Sequence, residues 1–455
     1  MRKMISLSLC ALLMTSCSLV PEYQRPQVEM PAAHAWSEGN APSNVQAAST
    51  WWASFGSTEL NTLIDAALAN NTDVLAGIQR IAQARATLKI AGATLLPTAN
   101  GSAGASRSYT NPKQGRSTQA TSLSAGVNVS YELDLFGANK ANISAAQAGL
   151  DNSIYTQGAL ALTLMGDVAT GYFTLINLSE RLVIADTNLE ISREVLRIIQ
   201  ARVDQGVESE LALAQQISNV ASSEATRATL YEQIQNAENA LAILLGKPPQ
   251  SIEITRKKLD GLHIPTIAAG QPSQLLERRP DLLASEANLI AANAAIGVAR
   301  ATFFPSISLG LGNSLSLAGF GDPSSSVLSL ASSLSVPIFQ GGRLAGGLEQ
   351  ATARQLELAE NYRGAILSAF QDVDNAMAAV NAASSREHAL QTAMTQSQKA
   401  YRLSKQRYDA GSIDFQTLLD TQKSRLTAED SYAQARLASL TAAINLYRAL
   451  GGGWV

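Results

Sequence analysis

The sequence predicts a mainly α chain with a small amount of transmembrane β-structure, organised as two tandem copies of a helix, hairpin, long helix, shorter helix unit. Three observations carry this expectation. Landmark motifs recur in the same order in the two halves. Two stretches of about seventy residues, Gly137 to Gly206 and Gly341 to Gly411, hold no proline. Four shorter stretches alternate apolar and small polar residues with the period of a β-strand.

The copies are recognised by their landmarks. Ala91–Pro97 (AGATLLP) resembles Val298–Pro305 (VARATFFP), and Leu135-Phe136-Gly137 resembles Ile338-Phe339-Gln340-Gly341. Arg202-Val203-Asp204-Gln205-Gly206 returns as Arg407-Tyr408-Asp409-Ala410-Gly411, and Leu244-Leu245-Gly246 as Ala449-Leu450-Gly451. The offsets stay between 203 and 208 residues, so order and spacing are both kept. Residues 60–246 are repeat 1 and residues 273–455 repeat 2. Between them, in 247–272, Pro248, Pro249, Pro265 and Pro272 with Gly261 and Gly270 break regular structure and mark a linker.

The chain opens with Arg2 and Lys3, an apolar run from Met4 to Met14, then Thr15, Ser16 and Cys17. This is a secretory signal, too short to span a bilayer. Ending on a cysteine, it resembles a bacterial lipoprotein signal. That resemblance implies removal of residues 1–16, acylation of Cys17, and sorting to the outer membrane, because Ser18 rather than Asp follows. The other cysteine, Cys10, would leave with the signal, so no disulfide is expected. Residues 17–59, rich in Pro and Ser from Pro21 to about Thr50, read as a lipid-anchored extended segment. Beyond the signal no apolar run near the roughly 20 residues of a membrane helix is expected, which leaves any crossing to β-strands.

Strands are expected over about 97–110 and 121–135 in repeat 1, and about 305–315 and 327–338 in repeat 2. About ten tilted residues suffice to cross a bilayer. Alternation assigns Val127, Val129, Leu309, Leu311, Leu328 and Leu330 to lipid, and Asn128, Ser130, Ser308, Gly310 and Ser329 to the lumen. Tyr109, Phe136, Phe303, Phe304, Phe320 and Phe339 near the strand ends suit interfacial girdles. In the long helices, Leu175, Leu178, Leu182, Ala185 and Leu189 recur in a coiled-coil seam. Seventy helical residues reach about 100 Å, too long for a small core and suited to a tube or rod.

Four strands cannot close into a barrel, and an open edge in lipid leaves backbone groups unsatisfied. Several chains must therefore share one barrel. Two would give eight strands with a filled interior, so a pore calls for three or more.

Together these residues resemble the TolC-like outer membrane factors, in the lipoprotein branch of OprM- and NodT-type efflux components. The resemblance is carried by Cys17, Trp51-Trp52-Ala53-Ser54-Phe55, Leu95-Leu96-Pro97, Phe303-Phe304-Pro305, Leu133-Asp134-Leu135-Phe136-Gly137, Arg278-Arg279-Pro280-Asp281-Leu282 and Ala449-Leu450-Gly451-Gly452-Gly453-Trp454. It covers nearly the whole chain. It implies a homotrimer with a shared twelve-stranded barrel in outer-membrane lipid, set on a long periplasmic α-helical barrel. The implied function is a passive efflux duct for drugs or other small molecules. The implied partners are a periplasmic adaptor (a membrane fusion protein) and an inner-membrane RND-type pump. It also implies a periplasmic gate near the helix turns, with Tyr408, Asp420 and Lys423 at the family's constricting positions. Further acidic gate residues that some members carry are replaced here by Thr417 and Ala212.

Other chemistry is set aside. With 16% charged residues, a net charge of −3 and no basic block, nothing points to nucleic acid. His34, His263 and His388 are isolated, Gly246-Lys247 lacks the upstream glycine of a phosphate loop, and no serine sits in a nucleophile elbow. Asp372 and Asp374, two apart, diverge on a helix and make no paired carboxylate site. No enzyme activity, cofactor or metal is expected. The alternatives are a non-conducting periplasm-spanning coiled-coil scaffold or adhesin, and a protein-secretion outlet.

Overall fold

The computed structural model describes residues 19–28, 50–113, 115–249, 251–255, 258–265, 274–318 and 323–454. The expected signal segment and Cys17 lie outside them. After a 3-10 turn at Trp51–Phe55, the order is α1 (Thr58–Asn70), α2 (Thr72–Ala93), β1 (Thr98–Thr110), β2 (Thr118–Leu133), α3 (Ala138–Asp204) and α4 (Glu210–Leu244). The second half runs α5 (Leu275–Arg278), α6 (Pro280–Ala301), β3 (Ser306–Ala318), β4 (Pro323–Ser335), α7 (Arg343–Asp409) and α8 (Phe415–Ala449). The long helices α3 and α7 have 67 residues each, and α4 and α8 have 35 each. In both pairs the second copy starts 205 residues after the first.

Punctuation in the sequence sets these bounds. Pro97 and Pro305 stop the preceding helices and start extended chain. Gly137 turns at φ 76°, and the Asp134 carboxylate accepts from the Asn139 and Lys140 amides at 3.0 and 2.9 Å, capping the entry to α3. β4 runs Pro323–Ser335 rather than over 327–338, because Pro337 has no N–H for a ladder and the serines ahead of Val327 pair with β3.

Two compact units are built from separate segments of the chain. The first takes Arg80–Ile154 and Ala284–Gly364 with the N-terminal segment. Its strands form an antiparallel sheet in the order β1-β2-β3-β4. The register puts Val129, Leu311 and Leu330 side by side on one face, with Val127 and Leu328 in neighbouring rows. On the other face Ser130 lies beside Gly310, and Asn128 beside Gly312 and Ser329. Hydroxyls pair across that face: Thr98 with Ser130 at 2.8 Å, Ser106 with Ser122 at 2.8 Å, and Ser308 with Ser333 at 2.6 Å. Asn313 and Ser332 interrupt the apolar face, and Val327 the polar one.

In the same unit the N-terminal segment is strapped along α6. Arg25 donates to both oxygens of Glu286 at 2.7 Å, Tyr23 donates at 3.0 Å, and the Asn293 amide donates to the Pro21 carbonyl at 2.8 Å. Gly297 leaves the space that Val20 fills. Burial and the nearby Glu286 carboxylate push the Tyr362 hydroxyl up to about 12 and raise that of Tyr23, so both stay protonated donors.

The second unit takes Val28–Gln79, Tyr155–Leu283 and Ala365–Val455. Its core gathers the aromatic 3-10 turn. Trp51 stacks on Tyr447 at 5.2 Å and Phe55 meets Phe173 edge-on at 5.3 Å. The two most specific motifs meet here. The Trp454 indole donates to the Arg278 carbonyl at 2.7 Å. Arg279 holds Asp372 and Asp281, at 3.0 and 2.8 Å. Gly246 and Gly451, equivalent in the two copies, turn at φ 66° and 72°, and a Cβ on either would press on backbone, of Asn70 and of Arg278–Arg279 respectively. Gly246→Ala and Gly451→Ala are each expected to cost about 1–3 kcal/mol, from left-handed strain plus backbone displacement. Thermal unfolding of the two variants beside an Ala exchange at Gly206, which has open space around it, checks this.

The expectation that no helix is apolar enough to cross a membrane needs correction. α3 and α6 each contain such a stretch, with 56% of it buried. These windows are apolar because the helices pack against their neighbours, and burial of this kind does not mark a membrane span.

Candidate functional site

The turn of each long helix repeats the same construction. In the first copy, Gly206 turns at φ 71°, the Val207 amide donates to the Arg202 carbonyl at 2.9 Å, and Ser209 caps α4 through the Ala212 amide. In the second, Gly411 turns at φ 73°, the Ser412 amide donates to the Arg407 carbonyl at 2.9 Å, and Asp414 caps α8 through the Thr417 amide at 2.8 Å. Because each glycine reverses the chain within a few residues, α4 folds back along α3 and α8 along α7.

The two turns share one apolar cluster. Val195 and Ile199 of α3, Ala212 of α4, Tyr401 and Tyr408 of α7, and Phe415, Leu418 and Leu419 at the start of α8 are buried together. Tyr408 is only 3% exposed, with Phe415 at 6.4 Å edge-on and the Arg202 guanidinium 4.5 Å above its ring. Arg425 lies over Tyr401 in the same way, at 5.3 Å.

The three residues named from the sequence therefore differ in placement. Tyr408 is turned into its own chain's helix packing. Asp420 and Lys423 are exposed on α8. They are three residues apart, so they share a face with Gln416, whose amide donates to the Asp420 carboxylate at 3.0 Å. Leu418, Leu419 and Gln422 point the other way, into the packing.

A polar layer lies next to this cluster. Gln422 donates to Ser192 Oγ at 2.8 Å and Gln216 to the Ser192 carbonyl at 2.7 Å, while Asn188 donates to Ser223 at 3.2 Å. All five side chains are buried. Neither this layer nor the Arg202 contact has a spacing signal in the sequence, because the partners lie on different helices. The layer ties α3, α4 and α8 by hydrogen bonds in place of interlocked apolar side chains. Such buried hydrogen bonds fix the register of the three helices.

Long back-folded helix pairs, joined to a sheet with one apolar face and one hydroxyl-lined face, define a subunit of a TolC-like membrane channel. The model of the outer membrane efflux protein family matches residues 63–247 and again 271–452, and the chain belongs to that family. The pyoverdine export outer membrane protein OpmQ of Pseudomonas aeruginosa is 40% identical over 416 residues, covering 89% of this chain and 87% of the relative. The cation efflux system protein CusC of Escherichia coli is 32% identical over 455 residues, covering 97% and 98%. The open-state MtrE outer membrane channel of Neisseria gonorrhoeae superimposes with a TM-score of 0.87 at 31% identity, covering 96% of this chain and 99% of that one. The chain is an outer-membrane efflux channel, and the tandem repeat is the family's own twofold match.

Proposed function

We propose that three copies of this chain assemble into one twelve-stranded barrel, and that the trimer is a passive duct for drugs or other small molecules. The observation that carries the reading is the sheet itself: among the described residues it has four strands, two unpaired edges and an exposed apolar face. Leu330 and Leu328 are 83% and 73% exposed in the single chain, and a lipid environment accommodates such a face. In lipid the two open edges need partners, and copies of the same sheet supply them. In this arrangement most of the chain lies in the periplasm, with the turns at Gly206 and Gly411 meeting a periplasmic adaptor and an inner-membrane pump. Energy for transport then comes from the pump, and the duct supplies a path. One relative is a pyoverdine exporter and another a cation efflux component, so the fold sets the route and the pump sets the cargo.

The test is the mass and conductance of the protein extracted from membranes. A threefold mass together with ion conduction in planar bilayers is expected. A monomer or dimer, or a trimer that does not conduct, sinks the duct reading and leaves the scaffold.

The anchor belongs to the same proposal. Cys17, acylated after loss of residues 1–16, holds the strap that runs from Leu19 along α6. Mass spectrometry of the purified protein is expected to show Cys17 as the first residue, carrying acyl chains. An unmodified N-terminus elsewhere contradicts it. Cys17→Ala should lower sorting and trimer yield more than conductance per trimer, since the barrel is itself a membrane anchor.

A further inference from the structure

We infer that Arg107, Tyr109 and Gln119 form a site for the phosphate of a phosphorylated lipid, at the rim of the sheet's apolar face. This rests on the barrel reading proposed above. Register fixes the face. Residues directly opposite each other in an antiparallel ladder share a face, and so do residues two apart on a strand. The pairs Gly101 with Val127, Ala103 with Ala125, and Ala105 with Leu123 therefore lie on the apolar face. The next rows on that face are Arg107 with Thr121 and Tyr109 with Gln119. Ser106 and Ser108 belong to the opposite, polar face, where a transported solute would pass.

Height follows from the same register. On β2 the apolar face runs from Leu133 to Leu123, paired with Ile307 and Leu317 at its two limits. The ten steps between them, at about 3.4 Å each, span about 34 Å along the strand, or about 25 Å across the bilayer once tilted by about 40–45°. That matches the height of the apolar band of an outer-membrane barrel. Arg107 lies one row beyond it, on the side of the β1–β2 turn, at headgroup depth.

The local chemistry suits a phosphate. The Arg107 guanidinium lies 5.5 Å from the Tyr109 ring centre. The Gln119 amide, turned so that its carbonyl faces Arg107, accepts from the guanidinium and, at 2.9 Å, from the Tyr109 hydroxyl; in the opposite orientation its Nε2 donates to that hydroxyl at the same distance. Held in this way, the fork of Arg107 is oriented before a ligand arrives. From Thr98 to Leu133 the hairpin holds Arg107, Lys113 and Arg116 and one acidic residue, Glu132, which lies at the far end of β2 from the turn, so the turn half carries three cations and no anion. The second hairpin, Ser306 to Ser335, has no cation at all. An arginine on a lipid-facing surface at headgroup depth is matched by a phosphate, which accepts two parallel N–H bonds. A sugar headgroup lacking phosphate offers no such charge.

The experiment uses the full-length protein in detergent, titrated with a bisphosphorylated diglucosamine lipid and with its dephosphorylated counterpart, read by native mass spectrometry. The phosphorylated lipid is expected to bind roughly tenfold tighter than the dephosphorylated one, the weight of one charge-assisted contact. Arg107→Gln should remove that preference, and Arg107→Lys should keep part of it, retaining charge without the fork. Arg354→Gln, an exposed helix arginine, should change nothing. Equal binding of the two lipids to the unaltered protein, or an undiminished preference in Arg107→Gln, overturns the proposal. Displacement of the lipid by millimolar inorganic phosphate also overturns it, by assigning a free-anion site. Val127→Trp, probed with brominated acyl chains, separates the two readings. Quenching without phosphate preference defeats this inference alone, whereas absence of quenching defeats the barrel reading beneath it.

Discussion

Leu311→Arg is expected to abolish barrel assembly, while Gly310→Arg, one residue away, leaves assembly intact and alters conductance. Leu311 lies mid-sheet between Val129 and Leu330 on the apolar face. An arginine there places a charge near the bilayer midplane, at a cost of about 2–4 kcal/mol. The proposed trimer repeats the cost three times, to roughly 6–12 kcal/mol, comparable with the whole stability of a typical domain. Gly310 lies on the hydroxyl-lined face beside Ser130 and Ala331, with nothing within 4 Å of where a Cβ would stand. A side chain added there meets open space. In a barrel that space is water, so the charge stays solvated and acts on passing ions. Trimer yield on native gels and single-channel conductance read the two effects separately. Equal loss of assembly from both exchanges would falsify the assignment of the faces.

The difference between those two positions is legible in the sequence, because a strand of alternating Leu and Ser or Gly admits only one division of faces. The strand limits are harder to read. Thr118, Gln119 and Ala120 look like loop by composition, yet the ladder continues to the pair Thr110 with Thr118. A polar run outside the lipid core has no apolar face to reveal its period. The repeat is legible for a different reason. Pro97, Pro305, Gly206 and Gly411 are demanded by backbone geometry, so they stay in place while the surfaces between them diverge. What local sequence does not supply is contact between distant segments. Glu286 is held by Tyr23 and Arg25, more than 260 residues away, and Arg202 covers a tyrosine in the other copy. Asp372 has no partner at helical spacing, and its cation is Arg279, which lies 93 residues away. Asp420 and Lys423 are singled out by family resemblance alone, since an exposed Asp and Lys on a helix are otherwise indistinguishable from any solvated pair.

Asp420→Ala is expected to raise single-channel conductance and the entry of bulky antibiotics, with trimer yield unchanged. In the proposed trimer the exposed stripe of Gln416, Asp420 and Lys423 faces other copies of α8, and contacts between copies hold the closed state. Each such contact is weak, about 0.2–1 kcal/mol, because both partners keep water. Three copies add to about 0.6–3 kcal/mol, so their loss shifts the open equilibrium roughly 3- to 150-fold. Small totals of this size suit a gate that a docking partner must open. Tyr408 calls for a different exchange. Its ring is buried against Phe415 and beneath Arg202, so Tyr408→Ala opens a cavity at a cost of about 3–5 kcal/mol, and any change in conductance would then report unfolding of the turn. Tyr408→Phe keeps the packing and the ring face. It should leave both conductance and stability near those of the unaltered protein, if the ring acts by holding α7 against α3. The polar layer makes a further prediction. Gln422→Leu removes the buried donor to Ser192 and Asn188 and should cost about 1–3 kcal/mol, read as a lower thermal midpoint. Unchanged conductance in Asp420→Ala and Lys423→Ala, with intact trimers, would move the constriction off α8 and onto the first-copy turn, where Asp204 and Gln200 present the nearest exposed polar pair.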